Sequence, residues 1–386
     1  MKKKNGKVGL HVLVVNVMLL AGFFACIAFV PSATLAQTRR GIITIDAPGA
    51  VNTVVTAIND SGVITGFYYG GSGDSHGFVR SPDGTFVLFD SPLGGAPNPT
   101  SINNAGVITG FYGDGNFGAF GGSHGFVRTP DGTLTSFDAP IDPANPMPGT
   151  TPYSINSRGQ IAGTYSVNCS DAQLAISPPV FPPCNNGFLR QPDGTITTFS
   201  APNFQGGMLA ARMNESGAIA GYFFDGQYEH GFLGAADGTF AILDPPPGSP
   251  GSRNTSIAGI NSSGEIAGSF TRFTDTSNTP HNFVRSPHGA FTVFDPPGAC
   301  PGSFHLAYAL SDSGTVAGVY NDCIHDYSYT FVFLRFADGT FASFFPGLNS
   351  GYQVVAGINS SNAVVGTYKD GNGGLYGYLR PGNAGN

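Results

Sequence analysis

Charged side chains are scarce in this chain of 386 residues: only 11% of them are Asp, Glu, Lys or Arg. Hydrophobic residues nevertheless make up 41% and aromatic residues 12%, which is enough to bury a large core. This combination excludes a disordered segment, which needs low hydrophobicity and a high net charge. Glycine (57 residues) and proline (29 residues) both disfavour helices, so the composition predicts a turn-rich β-protein.

The few lysines are concentrated at the N-terminus. Residues 2–7 hold four of them, an apolar run extends from Val8 to Val30, and Thr34-Leu35-Ala36 places small residues where a signal peptidase reads. We therefore predict a signal peptide over residues 1–36, a single exported domain over residues 37–386, and a secreted, periplasmic or extracellular location. An uncleaved anchor is the alternative, because the apolar run approaches the roughly 20 residues that span a bilayer.

Beyond residue 36, basic residues are rarer still. Lys369 is the only lysine there, and 13 basic residues face 24 acidic ones, a net charge of −11. A nucleic-acid binder carries a basic stripe, so this class is excluded, and an anionic membrane surface is not an expected partner either. We expect a monomer that meets an extracellular glycan or protein.

Cysteines are few, but four remain beyond residue 36, an even number that suits an oxidising compartment. Proximity in the sequence favours the pairs Cys169–Cys184 and Cys300–Cys323 among three possible pairings. No C-x-x-C spacing occurs, so zinc and redox sites are not predicted. P-loop, H-E-x-x-H and dinucleotide motifs are missing too, and no cofactor is expected.

A repeated phrase dominates the rest of the chain. The pattern I-N-x-x-G-x-I/V-x-G occurs seven times, at intervals of 44 to 58 residues, beginning at Ile58, Ile102, Ile155, Met213, Ile260, Leu310 and Ile358. The first six copies are followed by a second phrase, such as His76–Phe86, and an aromatic-Asp-x-Pro ending. Each repeat reads as four short strands, A to D, with hairpin turns at Asn-x-x-Gly and Pro-Asp-Gly. Four strands in 40–50 residues are typical of a β-propeller blade.

The two ends of the chain complement each other. The seventh repeat stops after Pro381, before any strand D, whereas Ile42–Ala50 is a strand D without a preceding repeat. We therefore predict an all-β, closed seven-bladed β-propeller with four strands per blade, in which the N-terminal strand completes the last blade. Such closure also removes unpaired sheet edges.

The chain resembles bacterial extracellular repeat proteins of the HAF family. The His-Gly-Phe phrases at His76, His124 and His230 are similar to its name-giving motif, with Gly in place of Ala. The resemblance covers essentially all seven repeats and implies secretion and repetition, but it brings no established activity and no catalytic residue. The departures at 281–283 and 331–333 argue against an essential chemical role for that histidine.

In a propeller of this kind, the A–B and C–D turns share one face, and the B–C and D–A loops share the other. We call the second one the loop face. It carries every insertion, and variable loops on a rigid scaffold are where binding usually resides. The candidate binding residues on it are acidic or aromatic: Asp74, Asp114, Asp225, Asp326, Asp370 and Tyr327. They suit a glycan, a cationic ligand or calcium, although no full calcium loop is present and solvated turn residues are the alternative.

Two recurrent residues read as structural. Four histidines begin strand C in different blades, and strands C lie too far from the axis to share one ion, so we predict a repeated hydrogen bond and no metal site. Arginine recurs at the end of strand C, where an Arg–Asp or Arg–backbone contact near the turn is expected. These residues are His76, His124, His230 and His281, and Arg80, Arg128, Arg190, Arg285, Arg335 and Arg380.

Arg212 breaks the repeat pattern. The matching positions of strand A hold only small residues: Ala57, Ser101, Ser154, Gly259, Ala309 and Gly357. A single arginine there can point into the central channel and meet an anion, or rotate outward into a salt bridge.

The catalytic candidates are weak. Two G-x-S-x-G matches lead into strand C with no helix, so they are not nucleophile elbows. Only three glutamates occur beyond residue 36, and Glu229 alone lies on the loop face, where it could act as an acid or base on a polysaccharide. The sequence favours a secreted binding module over a polysaccharide-active hydrolase or lyase, and over a structural protein of the envelope or matrix.

Overall fold

The structure is a computed structural model that describes residues 41–92, 94–113, 122–140, 149–167, 185–200, 207–234, 239–245, 252–272, 279–300, 302–322, 329–347 and 353–382, with the backbone alone for 209–211 and 252–253. The predicted signal peptide lies outside these ranges and stays a prediction. The described part of the chain contains no helix that could cross a membrane.

The described residues form seven four-stranded antiparallel sheets, which are the seven blades of a propeller. The strands of blades 1 to 3 follow the chain: β2 (Ala50–Ile58), β3 (Ile64–Gly70), β4 (Ser75–Arg80) and β5 (Phe86–Phe89); β6 (Pro97–Ile102), β7 (Ile108–Gly113), β8 (Ser123–Arg128) and β9 (Leu134–Phe137); β10 (Thr151–Ile155), β11 (Ile161–Ser166), β12 (Asn185–Arg190) and β13 (Ile196–Phe199).

Blades 4 to 6 repeat this order: β14 (Gly207–Met213), β15 (Ile219–Phe224), β16 (Glu229–Gly234) and β17 (Phe240–Leu243); β18 (Ser252–Ile260), β19 (Ile266–Arg272), β20 (Pro280–Arg285) and β21 (Phe291–Phe294); β22 (His305–Leu310), β23 (Val316–Asn321), β24 (Thr330–Arg335) and β25 (Phe341–Phe344). Blade 7 combines both ends of the chain: β26 (Gln353–Ile358), β27 (Val364–Lys369), β28 (Leu375–Arg380) and β1 (Ile43–Ile45).

The closure of the ring is as predicted. Strand β1 pairs with β28 in antiparallel register, with Ile43 opposite Leu379 and Ile45 opposite Gly377. Because residues near the two chain ends share one sheet, blade 7 cannot form from either end alone. Ile45 is only 1% exposed and packs with Val55, Ile64 and Val365 in the core between blades 7 and 1.

The Asn-x-x-Gly phrase forms the A–B turn. In blade 1, Gly62 donates to the Asn59 carbonyl and adopts φ of +80°, a left-handed conformation that favours glycine. The Asn59 side-chain oxygen accepts the Val63 N–H at 2.9 Å, which fixes the turn from inside. The second glycine of the phrase, Gly66, allows close packing, since a Cβ there would lie 2.1 Å from the Val54 carbonyl oxygen.

These turn asparagines also join neighbouring blades. Each side-chain amide donates to the backbone carbonyl at the same position of an adjacent blade, in six links: Asn59 to Asn103, Asn103 to Asn156, Asn156 to Asn214, Asn214 to Asn261, Asn261 to Ser311, and Asn359 to Asn59. Ser311 replaces the asparagine in blade 6. The sequence predicted the turn but not this ring of hydrogen bonds.

The recurrent arginine of strand C is held by the backbone, one of the two contacts predicted. Arg80 and Arg128 each donate to the carbonyl of the following residue at 3.3 Å. The guanidinium also stacks on a phenylalanine from strand D of the preceding blade, a contact between blades that the sequence did not predict. These pairs are Arg128 on Phe89, Arg190 on Phe137, Arg335 on Phe294 and Arg380 on Phe344.

Candidate functional site

The inner strands of the seven blades line a central cavity, here called the channel, of about 220 Å³. All seven strands A contribute to its lining, mostly through the last three residues before the A–B turn. Each of these strands carries a register shift near that point, such as the ones at Val55/Ala57 and Pro152/Ser154. A bulge bends the strand and redirects side chains, and bulges of this kind often lie beside functional sites. The bulges therefore bring Thr56, Thr100, Tyr153 and Tyr308 to the channel wall.

Arg212 lies in this wall, which is the first of the two placements considered for it. It pairs with Ala220 of β15 just after the register shift, and it keeps some exposed surface. Enclosure by the surrounding protein lowers the pKa of its guanidinium, while the phenols of Tyr153 and Tyr222 oppose that shift. In the part of the chain that the structure describes, no carboxylate forms an ion pair with Arg212.

Two further residues of blade 4 break the repeat pattern on the same sheet face. On strand β15, Ala220, Tyr222 and Phe224 are alternate residues and share one face of the sheet. Arg212 lies opposite Ala220, and Glu229 lies opposite Phe224, so both belong to that face. Burial raises the pKa of Tyr222 to about 12, with a further contribution from the negative charge of Glu229. Burial also raises the pKa of the Glu229 carboxyl. Arg212, Tyr222 and Glu229 thus form one line of interacting polar groups that starts at the channel.

The sequence could have singled out all three residues, although not their alignment. At the position of Tyr222 the other blades hold Phe67, Phe111, Thr164, Ser269, Val319 and Thr367, and at that of Glu229 they hold Ser75, Ser123, Asn185, Pro280, Thr330 and Leu375. When the repeats are compared position by position, blade 4 therefore differs from all the others at three positions, those of Arg212, Tyr222 and Glu229. Sequence reasoning identified Arg212 and Glu229 separately, but it missed Tyr222, which lies between them.

The recurrent histidines form the repeated hydrogen bond that the sequence predicted. Nδ1 of each contacts the aspartate that ends strand D of its own blade, 14 residues later; the pairs are His76–Asp90, His124–Asp138, His230–Asp244 and His281–Asp295. In two blades, Nε2 of the same ring also contacts an aspartate of the B–C loop, namely Asp74 and Asp225. These contacts tie strand C to the end of strand D and, in two blades, to the B–C loop.

Blade 5 departs from this pattern, since a second histidine joins its pair. Nε2 of His305, at the start of strand β22 in blade 6, lies 3.1 Å from Oδ1 of Asp295. Burial raises the pKa of Asp295, but hydrogen bonds from His281 and His305 outweigh it and hold the carboxyl well below its usual range. His305 was not among the candidate residues predicted from the sequence.

The loop aspartates that the structure describes are engaged by their own loops. Oδ1 of Asp370 accepts the N–H groups of Asn372 and Gly374, and Oδ1 of Asp225 accepts those of Gln227 and Tyr228. Asp74 contacts Ser72 and His76. The turn alternative therefore accounts for all three, and the calcium expectation gains no support from them.

Several predicted residues lie outside the described ranges: Asp114, Asp326, Tyr327, Cys169, Cys184 and Cys323. Cys300 is buried, at 1% exposure, and its N–H donates to the carbonyl of Asn321. Both disulfide pairings stay predictions.

The fold and its cavity define a seven-bladed β-propeller, and comparisons with known proteins agree. The structure is similar to that of a catalytically inactive virginiamycin B lyase from Staphylococcus aureus, with a TM-score of 0.54 and 13% identity over 88% of this chain and 98% of the other. It is similar to an acylaminoacyl peptidase from Pyrococcus horikoshii, with a TM-score of 0.54 and 10% identity over 87% of this chain and 53% of the other. It is also similar to a puromycin hydrolase, with a TM-score of 0.53 and 14% identity over 84% of this chain and 52% of the other.

Identities this low show a shared fold alone. No protein-family model matches the chain, and no curated protein sequence is similar to it. The resemblance to HAF-family proteins stays an expectation.

Proposed function

We propose that this protein is an extracellular binding module whose central cavity holds the anionic group of an acidic glycan. The proposal rests on the placement of Arg212. Its side chain lies on the wall of a cavity of about 220 Å³, and no carboxylate among the described residues forms an ion pair with it. A charged group enclosed by protein and left unpaired is costly, and an incoming anion offsets that cost.

The chemistry of the cavity suits a carboxylate on a sugar. A guanidinium presents parallel N–H donors that match the two oxygens of a carboxylate. The hydroxyl-bearing residues Thr56, Thr100, Ser101, Tyr153 and Tyr308 line the same cavity, and a hydroxyl that already donates to the backbone, as those of Thr56 and Thr100 do, can still accept from a sugar hydroxyl. The cavity is smaller than the roughly 300–1,000 Å³ of typical drug-sized ligand pockets, so it is suited to one sugar residue at the end of a chain.

The loop face supplies a second surface in this proposal. Tyr69, at the end of strand β3, and Phe304, just before strand β22, are 41% and 47% exposed. Aromatic rings in such positions can pack against sugars or against a protein partner. The cavity lies at the opposite end of strand A, next to the A–B turns. Binding at the loop face and binding at Arg212 can therefore be tested separately.

The proposal is tested by calorimetric titration with an oligouronate and with a neutral oligosaccharide of equal length. We expect only the oligouronate to bind, and Arg212→Ala to weaken it by about 10- to 100-fold, as for the loss of a hydrogen bond between charged groups. Alanine occurs at the same position in blades 1 and 6, so this variant should fold. Arg158→Ala removes an exposed arginine on a neighbouring turn and is the control. Equal binding of both sugars, or binding that is unaffected by Arg212→Ala, would contradict the proposal.

An enzyme acting on polysaccharide is the second candidate, because burial raises the pKa of Glu229, as a general acid requires. The similar solved structures include a lyase and a hydrolase, but at identities that carry no activity across. The test is release of new sugar ends from any polysaccharide that binds. Turnover that disappears in Glu229→Gln would favour the enzyme, whereas binding without turnover favours the module. A glycan array that stays blank, with a protein captured instead, would point to a protein partner or a structural role.

A further inference from the structure

Three potential metal ligands meet where blades 5 and 6 adjoin. They are His281 on strand β20, Asp295 just after strand β21, and His305 at the start of strand β22. Oδ1 of Asp295 lies 3.1 Å from Nδ1 of His281 and 3.1 Å from Nε2 of His305. One ligand atom from each residue lies within 4.8 Å of the others. The loop between β21 and β22 brings these three residues together. They meet between two blades, whereas the metal site that the sequence argued against would have been shared by strands C around the propeller axis.

The hydrogen bonds of His305 place either a second proton or a metal ion between its Nε2 and Asp295. Its Nδ1 lies 3.2 Å from the carbonyl oxygen of Ser303, which can only accept, so Nδ1 carries the proton. In the neutral ring, Nε2 then presents a lone pair, yet it faces the carboxylate of Asp295. Two acceptors this close need either a second proton or a metal ion between them. Metal-bound histidines almost always donate their other N–H to a carbonyl or carboxylate, as His305 does.

His305 is an exception among the seven repeats. The corresponding positions hold Thr53, Pro97, Thr150, Met208, Thr255 and Gln353. Thr53 shows an arrangement without a histidine, since its hydroxyl donates to Oδ1 of Asp46 at 3.1 Å. A threonine therefore satisfies the structural need at this position. The replacement by a histidine, which is 2% exposed, adds a metal-binding nitrogen that the fold itself does not need.

We propose that His281, Asp295 and His305 bind a divalent transition-metal ion of the zinc type. Two imidazoles and one carboxylate are a common ligand set for such ions, and hard cations such as Mg²⁺ prefer oxygen-only sites. Ligands at 2.0–2.1 Å from a tetrahedral ion lie about 3.3 Å apart, close to the two separations of 3.1 Å found here. The Asp295 side chain is 45% exposed, so an ion can enter from solvent and retain a water as its fourth ligand.

The site is tested by titrating Zn²⁺ into the tag-free protein after treatment with a chelator. Calorimetry and elemental analysis should give one zinc ion per chain, and the thermal midpoint should rise with zinc but not with Mg²⁺. Co²⁺ in place of Zn²⁺ should give the visible absorption of a four-coordinate site. If a proton alone lies between His305 and Asp295, zinc will neither bind at stoichiometric concentration nor raise the midpoint, and the proposal fails.

Two variants locate the ion. His305→Thr copies the arrangement of Thr53 and Asp46, so the protein should stay folded while its zinc affinity falls by about 100-fold or more. His124→Thr removes a histidine from a similar His–Asp pair, beside which the described residues supply no third ligand, and it should leave zinc binding unchanged. Zinc binding that survives His305→Thr, or that is lost in His124→Thr, would place the ion elsewhere and overturn the assignment.

Discussion

The side-chain amide of Asn59 donates a 3.0 Å hydrogen bond to the backbone carbonyl of Asn103, the residue at the same position of the next blade. The asparagine that makes each hairpin turn thus also connects that blade to its neighbour. One side chain serves two levels of structure: its oxygen fixes the local turn, and its nitrogen joins blades. A recurrent residue in a ring of repeats can therefore have a role that a single repeat does not reveal.

Replacing one member of this ring should destabilise the whole domain. Asn103→Ala removes the bond to the buried carbonyl of Asn156, which keeps only the N–H of Gly159, and leaves the partly buried N–H of Val107 without its acceptor. We expect the free energy of unfolding to fall by about 1–3 kcal/mol, since one buried and one partly buried backbone group lose hydrogen bonds. Denaturant unfolding followed by fluorescence or circular dichroism measures it. Asn104→Ala, at the exposed neighbouring position, should stay within about 0.5 kcal/mol of the parent, and equal losses for both variants would contradict this role.

The closing strand offers a matched pair of isoleucines. Ile45 is 1% exposed and Ile43 is 42% exposed, although both belong to strand β1. Ile45→Ala should lower the free energy of unfolding by about 2–5 kcal/mol, because it leaves a cavity between blades 7 and 1. Ile43→Ala should cost less than about 1 kcal/mol. Deletion of Ile42–Asp46 should destabilise the domain strongly. Small effects of both alanine variants and of this deletion would mean that β1 contributes little to the closure of the ring.

The stacking of arginine on phenylalanine between blades is measurable by a double-mutant cycle. The guanidinium carbon of Arg128 lies 5.0 Å from the ring centre of Phe89. The variants Arg128→Met, Phe89→Leu and their combination should give a coupling energy of about 0.5–2 kcal/mol. A second cycle pairs Arg128 with Phe291, which lies in blade 5, and should be additive within about 0.5 kcal/mol. Coupling of the same size in both cycles would argue against direct stacking.

His230 predicts a pH dependence of stability. Burial lowers the pKa of this histidine, but its hydrogen bonds to Asp244 and Asp225 outweigh burial and leave the pKa raised. A raised pKa means that the folded state holds the proton more tightly than the unfolded chain. The stabilisation is therefore complete below the unfolded pKa of about 6.5 and is lost as the pH rises through the folded pKa.

NMR titration of the His230 ring resonances gives the folded pKa directly. Unfolding measured from pH 5 to 9 should show the stability decline, and the decline should be smaller in His230→Asn, since asparagine occupies this position in blade 3. A folded pKa at or below 6.5, or a decline that His230→Asn leaves unchanged, would contradict the prediction.

Much of the fold could be predicted from the sequence because its signals are local and repeated. Asn-x-x-Gly and Asp-Gly specify tight turns through the backbone freedom of glycine, and alternating residues between them specify strands. Seven copies, with a strand D displaced to the N-terminus, specify a closed ring. A repeated structural hydrogen bond of the histidines was also predictable, because they recur without any geometry that would let them share one ion, but the aspartate partner was not predicted.

The candidate sites depended on contacts between residues that are far apart in the sequence. Arg212 stood out as an exception to the repeat, but the strand bulge that directs it into the channel leaves no clear mark in the residues themselves. Tyr222 and Glu229 are separated from Arg212 by turns, and only the register of three strands puts them on one face.

By itself, the composition indicated a packed, β-rich protein with few charged residues and an excess of acidic over basic ones beyond residue 36. It could not tell which of the few charged groups lack a partner. The tertiary structure decided that point for the described residues: no carboxylate among them forms an ion pair with Arg212 on the channel wall, and His305 joins the Asp295–His281 pair of the neighbouring blade. The physical reason is that turns and strands depend on neighbouring residues, whereas burial and ion pairing depend on how whole blades pack.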